Sequence, residues 1–81
     1  MKNDLKNAKV AIAKLYERGE KERYIDKCDL EPREIEILKR ALIGRESRIQ
    51  IASNMHMSPE SVQEHYRRAI LVLHKIIEKY T

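Results

Sequence analysis

Only one cysteine, Cys28, occurs in this chain of 81 residues, so no disulfide can form within it. Cysteine used so sparingly points to a reducing compartment, and the expected location is cytoplasmic. Long apolar runs are also missing. No stretch approaches the roughly 20 apolar residues of a membrane span, so no membrane partner is expected. The lysine-spotted start lacks the apolar core of a signal peptide. Repeats, low-complexity tracts and Gly/Ser-rich linkers are absent, and the length suits a single domain. Alternation of β-branched and polar residues is missing too, which excludes a sheet and leaves an all-α chain.

What is there is dense charge with little imbalance. Seventeen basic and 13 acidic residues give a net charge of +4, spread almost evenly along the sequence. Such an excess permits nucleic-acid binding without arguing for it. The two prolines and two glycines are more informative because they are few. Pro32 and Pro59 stand where helices can open, and Gly19 and Gly44 are candidate helix ends.

Helical periodicity then predicts four segments, or five if the first is broken. The first covers about residues 4–18, with a continuation past Gly19 towards Lys27; Leu5, Ala8, Ile12, Leu15 and Tyr16 form its apolar stripe. This N-terminal extension, residues 1–29, is expected either to brace the core or to serve oligomerisation. The second helix opens at Pro32 and ends near residues 43–44, with Ile35, Leu38 and Leu42 facing inward. The third, capped by Ser47, runs to about Asn54 and buries Ile51, Ala52 and Met55. The fourth is capped by Ser58 and runs from Pro59 almost to Thr81. Along it Val62, Tyr66, Ala69, Ile70, Leu73, Ile76, Ile77 and Tyr80 share a stripe about 120° wide. Glu60, Glu64, Arg67 and Leu71 point away from that stripe, and Leu71 is out of place on a side expected to be wet.

The third helix, a turn from Met55 to Ser58 and the fourth helix have the spacing of a helix-turn-helix. Ile51, Met55, Met57 and Val62 would form its small core, and Ala52 is small where the helices would cross. His56 stands where a left-handed backbone is often needed, which histidine tolerates better than most residues. In such a pair the start of the fourth helix is a surface able to enter a DNA major groove.

The segments "LEPREIEIL" and "IASNMHMSPESVQEH" resemble the LuxR/GerE-type helix-turn-helix, and "YRRAILVLHKI" is similar to sigma factor region 4. The resemblances cover about residues 30–77, within the helix-turn-helix part at residues 30–81, and imply duplex DNA as partner in transcription control. Carried over position by position, they place Pro59, Glu60, Gln63, Glu64 and Arg67 on the base-reading surface. Arg45, Ser47, Arg48 and Arg68 suit phosphate contacts, which set register. Gln63 would pair with adenine, Arg67 with guanine or phosphate, and Glu60 or Glu64 with cytosine. His65 would prop the motif from within. The sequence departs from these families at Glu31, a poorer cap than Ser or Thr, and at Ile49, expected to touch the N-terminal helix.

Other chemistries find little footing. His65 and His74 lie nine residues apart on opposite sides of one helix, and no C-x-x-C spacing exists, so no metal and no cofactor are expected. Cys28 reads as a small apolar packer. No phosphate-binding glycine loop or activated nucleophile is present, and no catalytic residues or enzyme activity are expected. Leu71, with Ile76, Ile77 and Tyr80, suggests a homodimer interface. Two further alternatives are a region-4-like protein docking on RNA polymerase and a helical protein-interaction module that never meets DNA.

Overall fold

The computed structural model describes Lys6, Asn7, Val10, Ile12 and residues 18–80. Four helices are delimited: α1 (Arg18–Asp26), α2 (Pro32–Leu42), α3 (Arg48–Met55) and α4 (Pro59–Tyr80). The four N-terminal residues are also helical. Among the described residues there is no strand. Of the apolar stripe expected for the first helix, Ile12 is buried; Leu5, Ala8, Leu15 and Tyr16 lie outside the described residues. Gly19 does not end a helix, because α1 runs through it. Nothing crowds its α-carbon, and the glycine costs this helix backbone entropy without breaking it.

Helix α2 is the wall between two apolar clusters. On one side Leu38 joins Ile12, Tyr24, Ile25 and Cys28 with Ala69, Ile70, Leu73 and Ile77 of α4. On the other, Ile37 packs with Ile51, Ala52 and Val62. Successive residues point about 100° apart on a helix, so Ile37 and Leu38 can each face a different cluster. Both are fully buried, whereas the expected inward residues Ile35 and Leu42 are only half-buried. Tyr66 touches both clusters and holds them together. Residues before Leu30 share the main core with α4, so position 30 marks no break in packing.

Local chemistry sets each helix boundary. Pro32 supplies the first turn of α2, and Glu31 takes the extended cap conformation without a side-chain cap bond. At the other end the amides of Ile43 and Gly44 both donate to the Lys39 carbonyl at 3.0 Å. A Cβ on Gly44 would lie 2.9 Å from the Arg40 carbonyl oxygen, which explains glycine there. Ser47 opens α3 with a full capping box: the Gln50 amide donates to Ser47 Oγ at 3.1 Å, and the Ser47 amide donates to Gln50 Oε1 at 2.7 Å. His56 closes α3 in the left-handed conformation, φ 54° and ψ 46°. Ser58 then caps α4, its Oγ accepting from the Ser61 amide at 3.2 Å.

Leu71 is not on a wet face. It is half-buried and packs against the main cluster, and Asn7 lines the same surface depression as Leu71. The N-terminal residues therefore reach the side of α4 that a single-stripe reading leaves open. Ile49 departs from expectation in the opposite sense. It is 66% exposed, because α3 presents its other face, Ile51 and Ala52, to the core.

Candidate nucleic-acid interface

Helix α4 offers Glu60, Gln63, Glu64 and Arg67 along one ridge, at spacings of three, one and three residues. Glu60, Glu64 and Arg67 are exposed and Gln63 is half-buried. The ridge spans about 10 Å at 1.5 Å per residue, roughly three base steps of 3.4 Å. Pro59, the first helical residue, is half-buried and shapes the start of the helix rather than standing free. Arg68 is exposed beside Arg67.

The start of α3 lies next to this ridge. Arg48, Gln63 and the acid Glu46 line one small cleft of about 190 Å³, whose apolar walls are Ala41, Ile51, Val62 and Tyr66. Burial raises the Tyr66 phenol above its ordinary pKa, so it stays a neutral hydroxyl there. Arg45 is exposed at φ 54° just before the capping box. The Ser47 hydroxyl is committed to its cap as an acceptor and retains only its proton for a phosphate.

Among the described residues some basic side chains are paired with acids, and others, Arg23, Arg33 and Lys75 away from the ridge among them, are not. Away from the ridge, Lys39 pairs with Asp26 at 3.1 Å, and Arg40 meets Glu36 at 2.9 Å and Glu46 at 3.1 Å. The hydrogen bond to Glu36, with Glu46 assisting, pushes the Arg40 guanidinium further towards its charged form. On the candidate interface, by contrast, none of Arg45, Arg48, Arg67 and Arg68 has an acidic partner among the described residues. Four guanidinium groups thus remain available to an external anion.

Two features of this region were not foreseen from sequence. Glu34 of α2 is 5% exposed, and its Oε2 lies 3.1 Å from His65 Nδ1 of α4. This contact pins α4 to α2 one turn from the reading ridge. Its sequence signal is an acid four residues before Leu38, on the apolar side of an amphipathic helix. The second is Glu46, which joins Arg40 to Asn54 of α3 through hydrogen bonds of 3.1 and 2.9 Å.

The residues expected at a dimer interface do not form one exposed patch. Ile77 is 6% exposed within the chain's own core, and Leu71 and Ile76 are half-buried against it. Only Tyr80 stands out, at 53% exposure, with the ammonium groups of Lys27 and Lys79 at 4.7 and 5.7 Å from its ring centre. Among the described residues, no group of three or more His, Cys, Asp or Glu side chains converges to hold a metal. No helix there is long and apolar enough to cross a membrane.

The chain matches no family model, no curated protein and no solved structure.

Proposed function

We propose that α3, the turn at residues 56–58 and α4 act as a DNA-binding helix-turn-helix, and that the protein regulates transcription by reading promoter or operator DNA. The observation that carries this is the set of four arginines without acidic partners flanking an exposed polar ridge. On α2, Lys39 and Arg40 are paired with acids, whereas Arg33 at its start is not, among the described residues. The left-handed turn at His56 and the serine caps on both helices support the same reading, because they fix α3 and α4 as one rigid pair.

In this arrangement Arg45, Arg48 and Arg68 neutralise phosphates and set register, while Gln63 and Arg67 read base edges. Glu60 and Glu64 accept hydrogen bonds from cytosine N4 and repel misplaced phosphates. They lower nonspecific affinity and favour selective binding. Selection from a pool of randomised duplexes tests this: enrichment of a short motif of about three base pairs, altered by Gln63→Ala, is expected. A pool that shows no enrichment at low salt contradicts it.

One observation favours a second partner. Ile49 leaves a large aliphatic side chain 66% exposed on α3. It gives a foothold for a protein such as RNA polymerase, alongside DNA. Ile49→Glu would then abolish co-sedimentation with the polymerase and leave the selected motif unchanged.

A further inference from the structure

The loop between α2 and α3 holds Arg45 and leads into Arg48, and one acid grips it from both sides. Glu46 Oε2 accepts from Arg40 Nη1 at 3.1 Å, and Oε1 accepts from Asn54 Nδ2 at 2.9 Å. The Glu46 amide also donates to the Arg40 carbonyl at 3.0 Å. Arg40 in turn is held by Glu36 through Nε at 2.9 Å. The last turn of α2 is therefore tied to the last turn of α3 through a single side chain.

This tie bears directly on Arg45. Its φ of 54° lies in the left-handed region, where a residue with a Cβ stays only if its surroundings hold it. Gly44 on its one side is pressed against the Arg40 carbonyl. Glu46 on the other is hydrogen-bonded at backbone and side chain. By charge alone, a carboxylate between two phosphate-binding arginines is a liability, since it repels the anion they attract. Its bonds give it a compensating role.

We propose that Glu46 is a positioning residue for DNA: acting through Arg40 and Asn54, it fixes the loop so that Arg45 and Arg48 meet the phosphate backbone in register with the ridge of α4. This rests on the DNA-binding reading above. It differs in sign from a purely electrostatic role, in which loss of the acid strengthens binding.

The test measures binding of the full chain to its selected duplex by fluorescence anisotropy over a range of salt, for Glu46→Ala, Glu46→Gln and Asn54→Ala. Each phosphate contact contributes about 0.9 to the slope of log K against log salt, or about eightfold in affinity at 0.1 M salt. Glu46→Ala is expected to bind roughly tenfold more weakly, with a slope shallower by about 1. Asn54→Ala, a change without charge, should move both quantities the same way. Glu46→Gln keeps an acceptor for Asn54 and should lose less than Glu46→Ala. Circular dichroism at the assay temperature confirms that the variants compared are folded. Base preference should not change in any of them.

Equal gains in affinity for Glu46→Ala and Glu46→Gln at unchanged slope would make Glu46 merely a negative charge. Wild-type binding with no change in any variant would likewise overturn the inference alone. A wild-type chain that binds no duplex overturns the DNA-binding reading and the inference together.

Discussion

Replacing His65 by alanine should destabilise the chain far more than a half-exposed surface histidine would. The Glu34 side chain is only 7% exposed, and the imidazole 3.1 Å away is its partner across the α2–α4 contact. Leaving a buried acceptor without its partner costs about 1–3 kcal/mol, and breaking a fully buried pair about 3–5 kcal/mol. The His65 side chain is 23% exposed, so water can replace part of what is lost, and about 2 kcal/mol is expected. A domain of this length has a total stability of about 4–12 kcal/mol, so the loss is a large fraction. With a urea m-value of about 1 kcal/mol/M, the unfolding midpoint should fall by about 2 M. Glu34→Leu removes the group that needs a partner and should cost about half as much. Glu34→Leu/His65→Ala removes both partners and should cost less than the sum of the two single changes, giving a coupling of about 1–2 kcal/mol in a double-mutant cycle. A midpoint shift below about 0.3 M for His65→Ala, with additive effects in the cycle, would refute this account of the pair.

Three further outcomes follow from burial and backbone geometry. Leu71→Arg should lower stability by about 1–2 kcal/mol by removing apolar packing, with the molar mass in solution as in wild type; light scattering showing a dimer split into monomers would instead place Leu71 at an interface. His56→Gly should raise the unfolding midpoint, because relief of left-handed strain, about 1–2 kcal/mol, exceeds the entropy glycine adds to the unfolded chain, about 0.5–1 kcal/mol; a fall would show that the imidazole itself makes a stabilising contact. Burial pushes the Cys28 thiol from 9.0 up to about 11. Its stabilising contribution is therefore complete below about pH 9 and is lost as pH rises through about 11. At pH 8 iodoacetamide should alkylate the native chain about 100-fold more slowly than the unfolded one, and equal rates would contradict the buried thiol.

The parts of this fold that were legible in sequence are those written in local chemistry. Ser47, His56, Ser58, Pro32 and Pro59 each act on backbone within four residues of themselves, and each does in the structure what its type and position suggest. The stripe of α4 was equally readable, since Val62, Ala69, Ile70, Leu73 and Ile77 are all buried. Errors arose where a helix is covered on more than one side. Ile37 was missed because α2 separates two clusters, and Leu71 was misplaced because N-terminal residues reach the back of α4. Ile49, expected to be covered, is 66% exposed, because periodicity does not say where a helix distant in sequence lies.

The candidate site follows the same division. Which arginines stand on α3 and α4 could be read from helical spacing, whereas which of them lack acidic partners could not. Glu34 and His65 are 31 residues apart, and Glu46 finds its partners six and eight residues away. Such contacts depend on how α2, α3 and α4 settle against one another. The supporting bonds of the site were hidden for this reason, while its surface was partly visible.

Direct binding of duplex DNA to the wild-type chain, beside Arg67→Ala/Arg68→Ala, tests the central claim most plainly. Anisotropy of a labelled promoter-fragment pool should show saturable binding that weakens steeply with salt, with a log–log slope of about −3 if Arg45, Arg48 and Arg68 each meet a phosphate. The double variant should keep its helical content and unfolding midpoint while losing the Arg67 base contact and about one phosphate contact from that slope. A folded wild type with no saturable binding at low salt, or one whose binding is indifferent to both arginines, would contradict the assignment of α4 as a DNA-reading helix.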